Sequence, residues 1–241
     1  MKKIICALLA CSMLAVSTSA LAGCGCNNSS SGNKQQPGYT VVATQPDLQD
    51  ETFGFYIINP DEVMLTRYFG DTADVVIPDT FQGYKVSFIG HSVFNSDSLQ
   101  TVTVPDSVTD IQDYAFASNI NLKRIKLPET LQYLGTNVFF NCQSLESIEL
   151  PASLKKIDSF AFCASGLKSI TIPESDTLTS LPQFAFYQCP NLEEVILPVT
   201  MTNIPDDAFN DCPDNLVLKV PANSYSESYA KRNNIKYEII D

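Results

Sequence analysis

The chain has 241 residues, 44% of them hydrophobic, with 15 Lys and Arg against 27 Asp and Glu and a net charge of −12. That deficit of cations argues against a sequence-independent nucleic-acid binder, which needs clustered excess Lys and Arg. One histidine and no tryptophan leave little equipment for acid–base catalysis near neutral pH.

Residues 1–23 carry the three parts of a secretory signal: Lys2 and Lys3, an apolar core from Ile4 to Val16, and mostly small residues from Ser17 to Gly23. The apolar run is too short and too interrupted for a transmembrane helix. It ends in Leu21-Ala22-Gly23-Cys24, which resembles the lipobox of bacterial lipoproteins. The resemblance implies diacylation of Cys24, cleavage before it and attachment to a membrane; an ordinary signal peptide with a chance cysteine is the alternative. Without residues 1–23 the chain holds 13 basic and 27 acidic residues, a net charge of −14. Residues 24–38 are rich in Asn, Ser, Gly and Gln, a composition that builds no core and reads as a flexible tether.

Residues 39–73 read as an N-terminal capping segment. Tyr39 to Val42 is β-branched and aromatic enough for a short strand, and Phe53 to Ile58 and Val63 to Phe69 form a hairpin about Asn59-Pro60-Asp61. Asp74 then opens a run of similar units that ends at Pro221. Aligned on Pro78, Pro105, Pro128, Pro151, Pro173, Pro198 and Pro221, the spacings are 27, 23, 23, 22, 25 and 23 residues. A nearly fixed period of that size specifies a solenoid. The first spacing is long because of a loop at Gln82-Gly83-Tyr84-Lys85. His91 falls at a variable position and reads as a solvated loop residue.

Each unit starts with a short strand, for example Val102 to Val104, Ile125 to Leu127, Ile148 to Leu150 and Ile170 to Ile172. Proline ends it, since it has no N–H for the ladder. A second inward pair follows (Val108 and Ile111, Leu131 and Leu134, Leu154 and Ile157). Phe94, Phe116, Phe139, Phe162, Phe186 and Phe209 then form a column of six buried rings. Three residues after Phe139, Phe186 and Phe209 stand Cys142, Cys189 and Cys212, with Asn119 in the same slot after Phe116. A recurring slot is a structural position, so these thiols are expected free and buried, and Cys163, outside the slot, more exposed. With neither a CxxC pair nor a Cys/His cluster, no metal or cofactor is expected.

The steps L-x-x-I-x-L-P, A-F and F-x-x-C closely resemble the bacterial BspA-like leucine-rich repeat family over residues 78–221. The resemblance implies a right-handed leucine-rich repeat solenoid with one parallel β-sheet on its concave face and surface-attached proteins, some of them adhesins. Residues 222–241 resemble the family's C-terminal cap: a short helix through Arg232, started by Asn223 or Ser224, and a closing strand from Ile235 to Ile240.

The concave row is the expected binding surface: Thr101, Thr103, Arg124, Lys126, Ser147, Glu149, Ser169, Thr171, Glu194 and Ile196, mostly small and polar. Arg124 and Lys126 are its basic step, while acids crowd Asp47 to Asp97, an asymmetry suited to orienting an acidic partner. The plainer reading is a solvated face in which Lys126 pairs weakly with Glu149. Two functions compete: a membrane-anchored, monomeric, non-enzymatic recognition or adhesion module for an extracellular protein or glycan, and a structural or assembly component of the cell envelope. No catalytic set or phosphate loop appears, and carboxylates such as Asp110, Asp113, Asp158, Asp206 and Asp207 fall at variable positions.

Overall fold

The computed structural model describes residues 45–240. The chain divides into two units, Met1–Thr40 and Val41–Asp241. The signal segment, Cys24, the tether and the strand expected at Tyr39 to Val42 lie outside the described residues.

The N-terminal cap is an antiparallel set: β1 (Leu48–Gln49), β2 (Phe53–Asn59) and β3 (Glu62–Tyr68). Side chains with few rotamers fix its turns. Asp50 Oδ1 accepts the amides of Thr52 and Phe53, both at 2.7 Å, and Asn59 Oδ1 accepts the amide of Asp61 at 2.9 Å. The first unit follows with β4 (Asp74–Val76), β5 (Thr80–Phe81) and β6 (Tyr84–Ile89). Here the expected four-residue loop is a two-residue hairpin turn. Gln82 and Gly83 both take left-handed backbone (φ 50° and 90°), the geometry that matches the twist of flanking strands.

The remaining turns supply β7 (Thr101–Thr103), β8 (Asp110–Ile111), β9 (Arg124–Lys126), β10 (Tyr133–Leu134), β11 (Lys156–Ile157), β12 (Ser169–Thr171), β13 (Glu194–Ile196) and β14 (Val217–Pro221). The cap is α1 (Tyr225–Arg232) and β15 (Lys236–Ile240). Ser224, not Asn223, caps α1, its side chain accepting from the Glu227 amide at 3.1 Å. Asn223 instead takes a left-handed φ of 57° and gives its amide to the Glu227 carboxylate.

The solenoid and its parallel ladders are as expected, but one concave sheet is too simple. The row of proline-terminated strands forms two sheets, β4-β7-β9 and β12-β13-β14-β15. A separate sheet runs β1-β2-β3-β6-β8-β10-β11, with β5 on β6. It arises because the second extended stretch of each turn, ending in Ile89, Ile111, Leu134 and Ile157, also stacks in register on its neighbours. Equal rise per turn aligns every extended stretch, not only the first.

Inside, the phenylalanine column stands as the sequence implies. Ring centroids from Phe94 to Phe209 are 4.8, 5.7, 5.7, 5.4 and 5.4 Å apart and the rings lie within 14° of parallel. Tyr68 and Tyr229 close its two ends. The slot three residues on proves to be a donor position. Asn119 Nδ2, Cys142 Sγ, Cys189 Sγ and Cys212 Sγ each reach back to the carbonyl of the preceding turn's phenylalanine, at 3.0, 3.2, 3.0 and 3.1 Å. All four described thiols are free. Burial raises those of Cys142, Cys163 and Cys212 to about 12, so they stay protonated and unreactive. Cys163 is buried, against expectation: its short side chain sits where the flanking turns carry the larger Phe140 and Tyr187, both partly exposed.

The column is bracketed by left-handed residues two positions before five of its six rings (Ser92, Tyr114, Asn137, Phe160, Phe184; not before Phe209) and two after five of them (Ser118, Asn141, Ala164, Gln188, Asp211; not after Phe94). Sequence pattern does not reveal this, because so few of them are Gly or Asn.

Candidate ligand-binding face

The register delivers two parallel rows of solvent-facing side chains. In the first sheet Asp74, Thr101 and Arg124 are neighbours, as are Val76, Thr103 and Lys126. In the second, Ser169, Glu194, Val217 and Lys236 line up beside Thr171, Ile196, Lys219 and Glu238. The structure therefore brings together, within each half, the residues the sequence assigned to this face. Lys236 and Glu238, at the far end, extend the rows beyond the repeats and were missed.

Between the halves the ladder stops. The strand expected at Ile148 to Leu150 is absent, and Ser147 and Glu149, although exposed, are not held in register. The cause is visible in one recurring bond. The amide just before the proline crosses to the next turn from Ile77, Val104, Ile172 and Leu197, at 2.9–3.0 Å. Among the described residues the amides of Leu127 and Leu150 make no such bond. The interruption coincides with the 22-residue unit, which is one residue short between Phe162 and Leu167. There Gly166 is drawn against the preceding turn, where a Cβ would lie 2.0 Å from the Gln143 carbonyl oxygen. Leu127 (8%) and Ile148 (6%) are correspondingly more exposed than Val104 or Ile172, both 2%.

Electrostatics follows this geometry. Thr101 Oγ1 donates to Asp74 Oδ1 at 2.5 Å, and Lys219 pairs with Glu194 at 2.8 Å. Lys168 pairs with Glu146 at 2.8 Å, and Lys123 donates to Gln100 at 2.9 Å. The expected Lys126–Glu149 pair does not form, because Glu149 belongs to the unpaired segment. Among the described residues, the side chains of Arg124 and Lys126 have no hydrogen bond or ion pair and both are exposed. They are two uncompensated cations at the middle of the face, next to the hydroxyls of Thr101 and Thr103.

The carboxylates at variable positions hold structure. Asp113 Oδ1 accepts the Thr136 amide at 2.8 Å, Asp207 Oδ1 the Phe184 amide at 3.3 Å, and Asp206 meets Arg232 at 3.3 Å. Asp110 lies in β8, not a loop, and accepts from Thr109 at 2.6 Å. Sequence reasoning missed a small cluster on the other sheet. Tyr133 donates to Asp158, which also pairs with Lys156 at 2.8 Å. Burial, then the Asp158 carboxylate, raises the Tyr133 phenol, so it stays a donor. Exposed His91 meets the edge of Tyr114 at 5.4 Å. A depression of about 860 Å³ opens not on the face but at the C-terminal cap, lined by Phe209, Leu216, Ile235 and Tyr237 among others.

With this repeat geometry in view, the model of the BspA-type leucine-rich repeat region matches residues 87–215 in six copies. The chain belongs to that family. No curated protein matches at a significant level. Among solved structures, a leucine-rich repeat protein of T. pallidum is 28% identical (TM-score 0.67), the match covering 79% of this chain and 97% of that one. A leucine-rich cell surface protein of Faecalibacterium prausnitzii is 25% identical (TM-score 0.58), covering 72% of this chain and 54% of that one. The pneumococcal vaccine antigen PcpA, 20% identical with a TM-score of 0.63, shares the fold over 79% of this chain and 48% of its own. Leucine-rich repeat solenoids of this type are generally non-catalytic and present their aligned faces to partners.

Proposed function

We propose that this BspA-type repeat protein is an exported lipoprotein, anchored through Cys24, that acts as a non-enzymatic recognition or adhesion module. The ligand is an extracellular protein or glycan carrying acidic groups, met by the concave row around Thr101, Thr103, Arg124 and Lys126. One observation carries the reading: Arg124 and Lys126 stand exposed and uncompensated in the middle of the rows, on a chain of net charge −12. Several other exposed cations of the repeats are partnered, Lys155 by Gln132 and Lys156 by Asp158. Arg67 and Lys85 near the N-terminal cap and Lys236 in the C-terminal cap stand exposed like Arg124 and Lys126. The described cell-surface relative supports an outward location.

The experiment is protease treatment of intact cells expressing wild type or Cys24→Ala. Cell-bound, protease-shaved wild type with released Cys24→Ala supports the reading. A cell-bound but protected wild type overturns surface exposure and favours the envelope-assembly role, which the unpaired edge of β15 also favours. Arrays of host matrix proteins and acidic glycans then test the face. Arg124→Glu/Lys126→Glu is expected to lower any captured signal at least tenfold while leaving the thermal midpoint unchanged.

A further inference from the structure

The β1–β3 cap continues the sheet of β6, β8, β10 and β11 at the N-terminal end, while the C-terminal sheet ends, among the described residues, on β15. In β15, Tyr237 and Ile239 are in register with Leu218 and Val220, which are fully buried. They occupy core positions, yet Tyr237 is 36% and Ile239 48% exposed. In earlier turns this position is covered by the following turn; among the described residues no strand lies on the far side of β15. In a parallel ladder successive residues aim their backbone groups to opposite sides. Lys236 and Glu238 therefore bond back toward β14, and the N–H and C=O groups of Tyr237 and Ile239 face the free edge. Long free edges that carry apolar side chains are templates for another strand.

The side chains on this edge are self-complementary. We propose that two copies of the chain associate by antiparallel pairing of β15 with β15 about a twofold axis at Tyr237. In that register Lys236 faces the partner's Glu238, Glu238 faces the partner's Lys236, and Ile235 and Ile239 face their opposites. Tyr237 meets the partner's Tyr237 as the hydrogen-bonded pair. The two Lys–Glu pairs fall at non-hydrogen-bonded positions, where side chains approach closest. Glu238 has Lys219 on its inner flank, so it lies between one cation of its own sheet and one of the partner. Shifting the register by one residue would place Lys236 against Tyr237 and lose both ion pairs, so charge fixes the alignment. A five-residue strand buries less than the ~1,200 Å² of a standard interface, so the association is concentration-dependent. It occupies the Lys236–Glu238 end of the rows and leaves Arg124 and Lys126, which belong to a different sheet, uncovered.

Two differently tagged full-length chains, co-expressed and co-purified in detergent, test this. Wild type co-purifies with wild type. Lys236→Glu sets two acidic pairs against each other, Glu238→Lys two basic pairs, and each alone is expected to lose at least tenfold of the co-purified partner. Mixing the Lys236→Glu chain with the Glu238→Lys chain restores both ion pairs and the association. Matching thermal midpoints of all chains exclude misfolding as the cause. No co-purification of wild type, self-association of either single variant at the wild-type level, or a mixture that fails to recover each overturns the proposal. The second outcome would follow if copies stacked head to tail on the β4 edge, a heterologous contact that does not pair residue 236 with residue 238.

Discussion

Gly166→Ala tests the explanation given for the interrupted ladder. A methyl group there would lie 2.0 Å from the Gln143 carbonyl oxygen and 2.7 Å from its carbon, both backbone atoms that cannot rotate aside. Ordinary contact begins near 3.4 Å, so the two turns must part by about 1.4 Å. That movement breaks the Gly166 amide bond to the Cys142 carbonyl, now 3.0 Å, and shifts Cys142 from the Phe116 carbonyl it holds at 3.2 Å. Overpacking costs ~1–3 kcal/mol and the lost hydrogen bond ~1 kcal/mol, against ~0.4–1 kcal/mol regained because alanine restricts the unfolded chain. The net is a destabilisation of ~2–3 kcal/mol, or ~4–12 °C in midpoint for a unit of this size. Urea unfolding followed by far-UV circular dichroism measures it, and a broadened transition would mark loss of coupling between the two halves of the array. A variant within ~0.5 kcal/mol of wild type, the range of an inconsequential surface change, would refute the close-approach argument.

Two further outcomes follow from the turn geometry and the thiol slot. Ala164 holds a left-handed φ of 54°, where an L-residue costs ~1–2 kcal/mol that glycine does not; Ala164→Gly should therefore raise stability by ~0.5–1 kcal/mol after the entropy loss, and a lowered urea midpoint would contradict the assignment of strain. The buried thiols have folded-state pKa values raised by burial to about 12 from an ordinary 9.0. Above pH 9 the unfolded chain therefore binds fewer protons than the folded one, so stability is full below that pH and falls as pH rises toward 12. Cys142→Asn, which copies the Asn119 arrangement, should flatten part of that fall in a urea titration between pH 8 and 11; an unchanged slope would mean the thiol is not protected.

The period of the prolines, the alternating strands, the phenylalanine column and the Cys/Asn slot were legible in the sequence because each turn of a solenoid repeats one local pattern against a like neighbour. The solvent-facing residues were legible for the same reason, by simple alternation from Val102, Ile125 or Val195. Ser147 and Glu149 were not, since the same alternation holds whether or not a ladder forms. Pairing depends on how far two turns lie apart, and that distance is set by a one-residue deletion some 20 positions along, at Gly166. The left-handed residues at Tyr114, Phe160 and Phe184 were likewise hidden, because their backbone is imposed by the curvature of the whole turn and not by their own preference. The same holds for Tyr237 and Ile239, whose pattern alone marks them as core. Their place on the outermost strand of the described sheet leaves them exposed. Sequence determines what each turn contains; the contacts between turns decide which edges, cations and apolar side chains remain open to a partner.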